Sequence, residues 1–168
     1  MEIKTKRLLL RPFQVSEFDN AYQLLSDPDV MRYSLNGPYS KQKSQAFIEQ
    51  CILKSKQNEP TLFAVIEKEN NQFIGFCGFF PQTIQGKQEI ELGYRLLKAQ
   101  WGKGFATEAA MAMKNYAFNE LGITRLISLI ETSNIASLRV AKKNGFCVEK
   151  QMLYDGRISI EMCVAITC

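Results

Sequence analysis

Apolar and polar positions along the chain follow two different periods. Alternation at every second residue predicts seven strands, at residues 6–13, 61–68, 72–81, 88–97, 123–131, 147–154 and 157–167. Apolar residues at three- and four-residue steps predict four helices, at residues 16–26, 40–57, 104–121 and, with its caps, 134–145. Helices interrupt the strands unevenly in this order, which predicts an α/β fold with a mixed sheet covered on its faces rather than a regular doubly wound fold.

The composition indicates an ordinary globular chain. Of 168 residues, 46% are hydrophobic and 23% are charged, which predicts one domain over residues 1–168 with a substantial core. The sequence contains no apolar run long enough to span a membrane, and its start, MEIKTKRLLLRPF, lacks the features of a signal peptide. We therefore expect a cytoplasmic protein without a membrane partner.

Histidine is absent from the sequence, which excludes several kinds of site. The usual Ser-His-Asp and Cys-His arrangements need an imidazole as proton acceptor, and histidine-ligated metals are excluded as well. The cysteines form no CxxC pair and are expected to be reduced thiols, at Cys51, Cys77, Cys147, Cys163 and Cys168. We expect no metal. The dispersed basic residues, with a net charge of only +4, argue against a nucleic-acid partner.

The stretch RLLKAQWGKGFATEAA, at residues 95–110, has two glycines between a predicted strand and a predicted helix. It matches neither GxxxxGK[ST] nor GxGxxG. Backbone N–H groups at such a turn, at the positive end of a helix, can bind a pyrophosphate, and Lys103 adds a mobile charge. The local residues leave two alternatives open: a phosphate cradle, or a tight turn that binds nothing.

A second segment, ETSNIASLRVAKKNGF, follows some 30 residues later, and its Asn134 can cap its own helix or bond a ligand. Together with TKRLLLRPF and SDPDVMRY, the two segments resemble the GNAT superfamily of acyl-CoA-dependent N-acetyltransferases, in particular its RimJ/RimL-like branch. The resemblance covers nearly the whole chain. It implies a mostly antiparallel central sheet, with helices on both faces and a splay between the strands at 88–97 and 123–131.

The resemblance implies acetyl-CoA as the cosubstrate. Its pantetheine arm would lie in the splay against the main chain of Leu96 and Leu97, and an N–H near Leu96 would stabilise the thioester oxygen. The segment expected to hold the pyrophosphate consists of Trp101, Gly102, Lys103, Gly104, Phe105, Ala106 and Thr107. Much of the superfamily has Arg or Gln where this chain has Trp101, whereas WGKG is usual in the branch named above. Asn134 and Ser137 would complete the cofactor site.

The implied reaction is direct attack by a neutral amine in a ternary complex, which requires a group to take the amine's proton. Glu91 lies out of phase with the apolar residues Ile90 and Leu92 and can face a cleft. We expect Glu91, directly or through a water chain, to be the base, with Glu89 as the substitute. The alternative for Glu91 is a solvated carboxylate on the sheet.

The departing thiolate also requires stabilisation or a proton. Many members of the superfamily carry a tyrosine where this chain has Ala141, so that acid is missing. The resemblance to the branch implies Ser137 instead, and Tyr154 is a distant reserve. The alternative for Ser137 is a serine that only supports the start of its helix.

The expected acceptor is a primary amine, either a protein N-terminus or a small amine or amino acid, and the sequence does not rank these. It would bind between residues 27–39 and the loop at 155–157, where Asp27, Asp29 and Asp155 either attract a cation or are simply solvated. A homodimer is compatible with the resemblance. A different class of function stays open: a non-catalytic acyl-CoA-binding or regulatory domain that kept the cradle and lost turnover.

Overall fold

The computed structural model describes residues 1–167, so Cys168 lies outside the described residues. The strands are β1 (Ile3–Lys4), β2 (Leu8–Pro12), β3 (Leu62–Glu67), β4 (Gln72–Ile84), β5 (Lys87–Leu96), β6 (Arg125–Glu131), β7 (Cys147–Tyr154) and β8 (Ile158–Ile166). The α-helices are α1 (Phe18–Ser26), α2 (Lys41–Lys56), α3 (Phe105–Asn119) and α4 (Ile135–Lys143). Two short 3-10 helices precede α1 and follow β5.

The described strands form one sheet in the order β1-β2-β3-β4-β5-β6-β8-β7. Every neighbouring pair is antiparallel except β5 and β6, which run parallel. Helices cover both faces, because α1 and α2 contribute to one apolar cluster and α3 and α4 to the other. The mixed α/β sheet predicted from the sequence is confirmed.

Most predicted elements are present, with differences at their ends. Ser40 caps α2 by accepting a hydrogen bond from the N–H of Lys43 at 3.1 Å. Gly145 ends α4 with a φ of +78°, as its position after the apolar pattern predicted. The two-residue strand β1 was not predicted, and β4 extends to Ile84, because a tight turn at 85–86 continues the pairing with β5.

The main core lies between the sheet and α3, with Leu8, Leu126 and Met113 fully buried. Cys77 and Cys163 belong to this core, Cys51 lies on the buried face of α2, and Cys147 is exposed; all four are free thiols. Across residues 1–167, no helix is both long and apolar enough to cross a bilayer.

Strand β5 separates from β6 beyond Glu91. The two strands pair at a single position, Glu91 with Ile127, whereas β4 and β5 stay paired as far as Leu96. One side-chain hydrogen bond, from Ser128 Oγ to the carbonyl of Leu92 at 3.2 Å, spans the start of the gap. The splay implied by the resemblance is therefore present, and it opens toward the N-terminus of α3.

Gly75→Ala tests how closely β4 must approach the end of β5. A Cβ at Gly75 would lie 2.1 Å from the carbonyl oxygen of Arg95 and 2.8 Å from Cα of Leu96. We expect the free energy of unfolding, measured by urea titration, to fall by about 3 kcal/mol or more. The matched control is Gly86→Ala, also at a positive φ but with open space around its Cβ, which should cost roughly 1–2 kcal/mol. Equal losses in the two variants would contradict the close approach.

Candidate functional site

The two glycines form a left-handed turn at the N-terminus of α3. Gly102 has a φ of +74° and Gly104, the N-cap, a φ of +81°. No side chain caps the helix, so its first N–H groups stay available to a ligand. A Cβ at Gly102 would meet nothing within 4 Å, and one at Gly104 would meet only a guanidinium nitrogen of Arg7, at 3.4 Å. This open, positively charged turn fits a phosphate group.

Arg7, about a hundred residues earlier in the chain, holds this turn in place. Its Nη1 donates to the carbonyl of Lys103 at 2.8 Å, and its Nε donates to Oε2 of Glu108 at 2.7 Å. The guanidinium lies 4.4 Å from the ring centroid of Phe105. Burial alone would raise the pKa of Glu108, but hydrogen bonds from Thr5 and Arg7 lower it below its usual value. Arg7 was missed in the sequence, since nothing local to KRLLLRPF indicates a partner a hundred residues away.

At the end of β5, the backbone N–H and C=O groups of every second residue face the gap. Leu97 is bonded within the chain, because its N–H donates to the carbonyl of Ile74 and its carbonyl accepts the N–H of Gln100, both at 2.8 Å. Backbone groups alternate along an antiparallel strand, so the N–H groups of Tyr94 and Leu96 face away from β4 and toward the splay. The expectation for Leu96 therefore fits this geometry, whereas that for Leu97 does not.

Trp101 connects the turn to the strand. Its indole Nε1 donates to the carbonyl of Leu96 at 2.9 Å, while the side chain is half exposed. Lys103 points elsewhere, since its ammonium donates to Oε1 of Gln100 at 2.9 Å. Lys103 does not line the larger cavity, whereas a guanidinium nitrogen of Arg7 lies 3.4 Å from the Cβ position of Gly104.

Helix α4 begins at the far side of the splay. Oδ1 of Asn134 accepts the N–H of Ser137 at 3.2 Å, so Asn134 caps its own helix. The hydroxyl oxygen of Ser137 lies 3.1 Å from that of Tyr94 on β5, and burial raises the pKa of Tyr94. This contact across the gap was not predicted, because Tyr94 shares the phase of the apolar core residues.

Glu91 lies at the last position where β5 and β6 pair. Burial raises the pKa of its carboxyl above the usual value, and a hydrogen bond from Gln82 (Nε2 to Oε2, 2.7 Å), the N–H of Leu129 and the charge of Arg95 oppose that shift. A carboxylate with a raised pKa and a defined orientation is suited to accepting a proton near neutral pH. The cleft-facing placement, rather than a solvated one, agrees with its phase in the sequence.

Glu89 has the opposite environment, although it lies on the same face of the same strand. Arg125 donates Nε to both carboxylate oxygens, at 3.0 and 3.1 Å, and Lys87 lies 3.3 Å away. Burial alone would raise the pKa of Glu89, but these cations lower it overall. A carboxylate so strongly paired is a weak base, and the substitute role expected for Glu89 does not fit.

Two cavities meet in the splay. The larger, about 750 Å³, extends from the glycine turn along β5 to α4; the smaller, about 280 Å³, lies between β5 and residues 31–39 and contains Glu91 and Tyr154. The larger is lined by these predicted cofactor residues: Leu96, Trp101, Gly102, Gly104, Phe105, Ala106, Thr107, Asn134 and Ser137. Leu97 and Lys103 line neither cavity. The walls that both cavities share are Tyr33, Tyr94, Arg95, Asn134, Ser137 and Val140.

The loop acids considered as cation sites are already engaged. Asp29 pairs with Lys98, Asp155 pairs with Arg157, and Asp27 accepts the N–H of Asp29 at 2.8 Å. None of the three acids lines the smaller cavity.

Comparison with known proteins agrees with this geometry. Residues 7–147 match the family model described as an acetyltransferase (GNAT) domain. The chain is 34% identical over 145 residues to the uncharacterized N-acetyltransferase YnaD of Bacillus subtilis, covering 86% of this chain and 82% of that one. It is similar to a GNAT-family acetyltransferase of Bacillus anthracis with a TM-score of 0.85, 26% identity, and coverage of 99% and 98%.

The fold is also that of RimL, a ribosomal L7/L12 α-N-protein acetyltransferase solved in complex with coenzyme A. Its TM-score is 0.83 at 21% identity, with coverage of 99% of this chain and 98% of RimL. This likeness is consistent with the RimJ/RimL-like branch indicated by the sequence motifs. The chain belongs to the GNAT family, whose members use acetyl-CoA, and is an N-acetyltransferase.

Proposed function

We propose that the chain transfers the acetyl group of acetyl-CoA to a primary amine by direct attack in a ternary complex. The observation that carries this proposal is the meeting of the two cavities at Tyr94, Asn134 and Ser137. A long groove from a phosphate-binding turn and a small pocket with a buried carboxylate open onto each other there. Two substrates bound in them would bring their reacting groups together, and proximity of this kind supplies much of the catalysis.

The cosubstrate would bind along the larger cavity. The uncapped N–H groups of α3 and the turn at Gly102 and Gly104 would hold the pyrophosphate, with Arg7 keeping the turn rigid. The N–H groups of Tyr94 and Leu96 would bond the pantetheine arm and the thioester oxygen, where negative charge develops. The coenzyme A bound to RimL supports this assignment for a chain of the same fold.

Glu91 would take the proton of the attacking amine, directly or through a water. The amine nitrogen forms a bond to the thioester carbon, the carbon–sulfur bond breaks, and the sulfur leaves as a thiolate. Ser137 would stabilise or protonate that thiolate, and its contact with Tyr94 provides a route for replacing the proton. No covalent intermediate on the protein is needed, which suits a chain without histidine.

A non-catalytic acyl-CoA-binding role is less well supported. A binding domain has no need of a part-buried carboxyl in the pocket beside the groove, since such a group costs stability unless it is used. Glu91 is held there by a hydrogen bond from Gln82, in the pocket that adjoins the proposed cosubstrate groove.

Gly104→Asp should abolish acetyl-CoA binding, because a side chain and a negative charge would enter the turn. For the wild type, acetyl-CoA at about 100 times its Kd should add roughly 2.7 kcal/mol of stability, a shift of several degrees in Tm, and AMP and NAD should add much less. The matched control is Gly86→Asp, also at a positive φ but in a remote hairpin, which should keep the shift. A wild-type Tm that acetyl-CoA does not change would refute the cosubstrate site.

Glu91→Gln should lower kcat roughly a hundredfold to ten-thousandfold near neutral pH and leave the Kd for acetyl-CoA unchanged. The raised pKa of Glu91 means that wild-type kcat/KM falls as the pH drops through that value, since the protonated carboxyl cannot act as a base. The defect should shrink toward about pH 10, where the amine is already neutral. The measurement is kcat/KM against pH for both proteins; superimposable profiles would exclude Glu91 as the base.

Ser137→Ala should lower kcat while leaving the Kd for acetyl-CoA nearly intact, because the hydroxyl acts on the departing sulfur rather than on binding. The cap on α4 survives, since Asn134 bonds the backbone N–H of residue 137 and not its side chain. Steady-state kinetics and calorimetry measure the two quantities. An unchanged kcat would remove Ser137 from the mechanism.

A further inference from the structure

Arg95 lies at the junction of the two cavities and forms no salt bridge within the described chain, although the Glu91 carboxylate on the same strand face is near enough for the two charges to attract. It lies on the same face of β5 as Glu91, with Gly93 between them, and it lines both cavities. Its one described hydrogen bond is from Nη1 to the carbonyl of Tyr94, at 3.1 Å. Across residues 1–167, no carboxylate oxygen lies within 4.0 Å of its guanidinium nitrogens.

The lack of a direct salt bridge distinguishes Arg95 from other part-buried arginines of the protein. Arg11 is paired with Glu17 at 2.7 Å, and Arg125 is paired with Glu89 at 3.0 Å. A guanidinium has five N–H donors in a planar fork that matches a carboxylate, and Arg95 uses one of them within the chain. A part-buried cation with free donors is complementary to an anion supplied by a ligand.

The rest of the smaller cavity limits what that ligand can be. Its apolar walls include the side chains of Met31, Tyr33, Tyr39, Phe47 and Phe80. Its acidic residues are Glu91, at the proposed catalytic position, and Glu131, which accepts the hydroxyl of Ser133 at 2.8 Å. A polycationic amine would therefore meet one carboxylate beyond the proposed base, Glu131, and a repelling guanidinium. The volume of about 280 Å³ lies at the small end of ligand sites.

We propose that the acceptor is a free amino acid with an apolar or aromatic side chain, whose carboxylate is bound by Arg95. Its amine would then lie beside Tyr94 and Ser137, and its side chain among the aromatic walls. This proposal rests on the proposed acetyl transfer and specifies its substrate. The amine nitrogen bonds to the acetyl carbon, the carbon–sulfur bond breaks, the amine proton passes to Glu91, and the products are an N-acetyl amino acid and coenzyme A.

A protein N-terminus fits this arrangement less well. The carboxyl of its first residue is part of a peptide bond, so it offers Arg95 no negative charge. The free carboxylate is thus the feature that separates the proposed acceptor from the alternatives.

The first arm of the test uses the wild-type enzyme and a fixed set of amines with acetyl-CoA. The set contains the apolar and aromatic L-amino acids, the carboxamide of each, phenethylamine, spermidine and a short peptide with a free N-terminus. We expect kcat/KM for at least one amino acid to exceed that for its own carboxamide by roughly tenfold to a hundredfold. The proposal would be overturned if every amino acid and its carboxamide had equal kcat/KM, or if only spermidine or the peptide were acetylated.

The second arm compares arginine variants by the acid-to-carboxamide ratio of kcat/KM. Arg95→Gln should reduce this ratio to about one, and Arg95→Lys should retain part of it, because a single ammonium keeps the charge without the fork. Arg11→Gln is the matched control: it removes a part-buried arginine outside both cavities, so Tm should fall while the ratio stays. If Arg95→Gln does not fold, the wild-type ratio and the lysine variant still decide the question.

Acetyl-CoA binding separates this proposal from the one on which it rests. If the wild type fails to bind acetyl-CoA, the proposed acetyl transfer fails, and the acceptor assignment fails with it. If it binds acetyl-CoA and acetylates amines without regard to a carboxylate, only the acceptor assignment fails. A Kd for acetyl-CoA that rises in Arg95→Gln as much as the amino-acid kcat/KM falls would assign Arg95 to the cosubstrate instead.

Discussion

The separation of β5 from β6 beyond Glu91 is the constraint on which the site depends. A paired strand satisfies its own backbone, whereas the end of β5 is paired with β4 on one side only and keeps N–H groups facing a gap. The same divergence gives the proposed cosubstrate groove its length and lets it meet the proposed acceptor pocket. It also fixes the position of Glu91, because the last paired residue is held firmly while the space beside it is open.

Glu89 and Glu91 illustrate how one strand face produces two different carboxylates. Glu89 meets Arg125 and Lys87, which hold its charge, whereas Glu91 is hydrogen-bonded by the amide of Gln82 and forms no salt bridge in the described chain. The pairing with Arg125 stabilises the sheet and leaves a poor base. Glu91, without such a pairing, contributes less to the stability of the sheet and remains able to accept a proton. Which carboxylate is structural and which is proposed as catalytic therefore depends on the cations within reach of each.

The sequence predicted the elements, the facing of Glu91 and the glycine turn, because each depends on local period or on backbone freedom at particular residues. For Asn134 it left two roles open, a ligand contact or a helix cap; the structure shows the cap, which needs only a polar side chain before an apolar helical pattern. The sequence did not predict the roles of Arg7 and Arg95 or the contact of Tyr94 with Ser137. Their partners are distant in the chain or absent from it, and the phase of Tyr94 matched that of its apolar neighbours. Leu97 was misjudged for a related reason: which strand residues keep free backbone groups depends on pairing, which the pattern does not record.

The bonds from Arg7 to Lys103 and Glu108 have a consequence for how the protein folds. Helix α3 and its glycine turn can form from local interactions, but the turn becomes rigid only when the second strand, a hundred residues earlier in sequence, has joined the sheet beside it. Contacts of such separation form late, since the intervening chain must first be ordered. The rigid turn is therefore a property of the completed fold, and a partly folded chain would have the glycines without the preorganised turn that the proposed anion site requires.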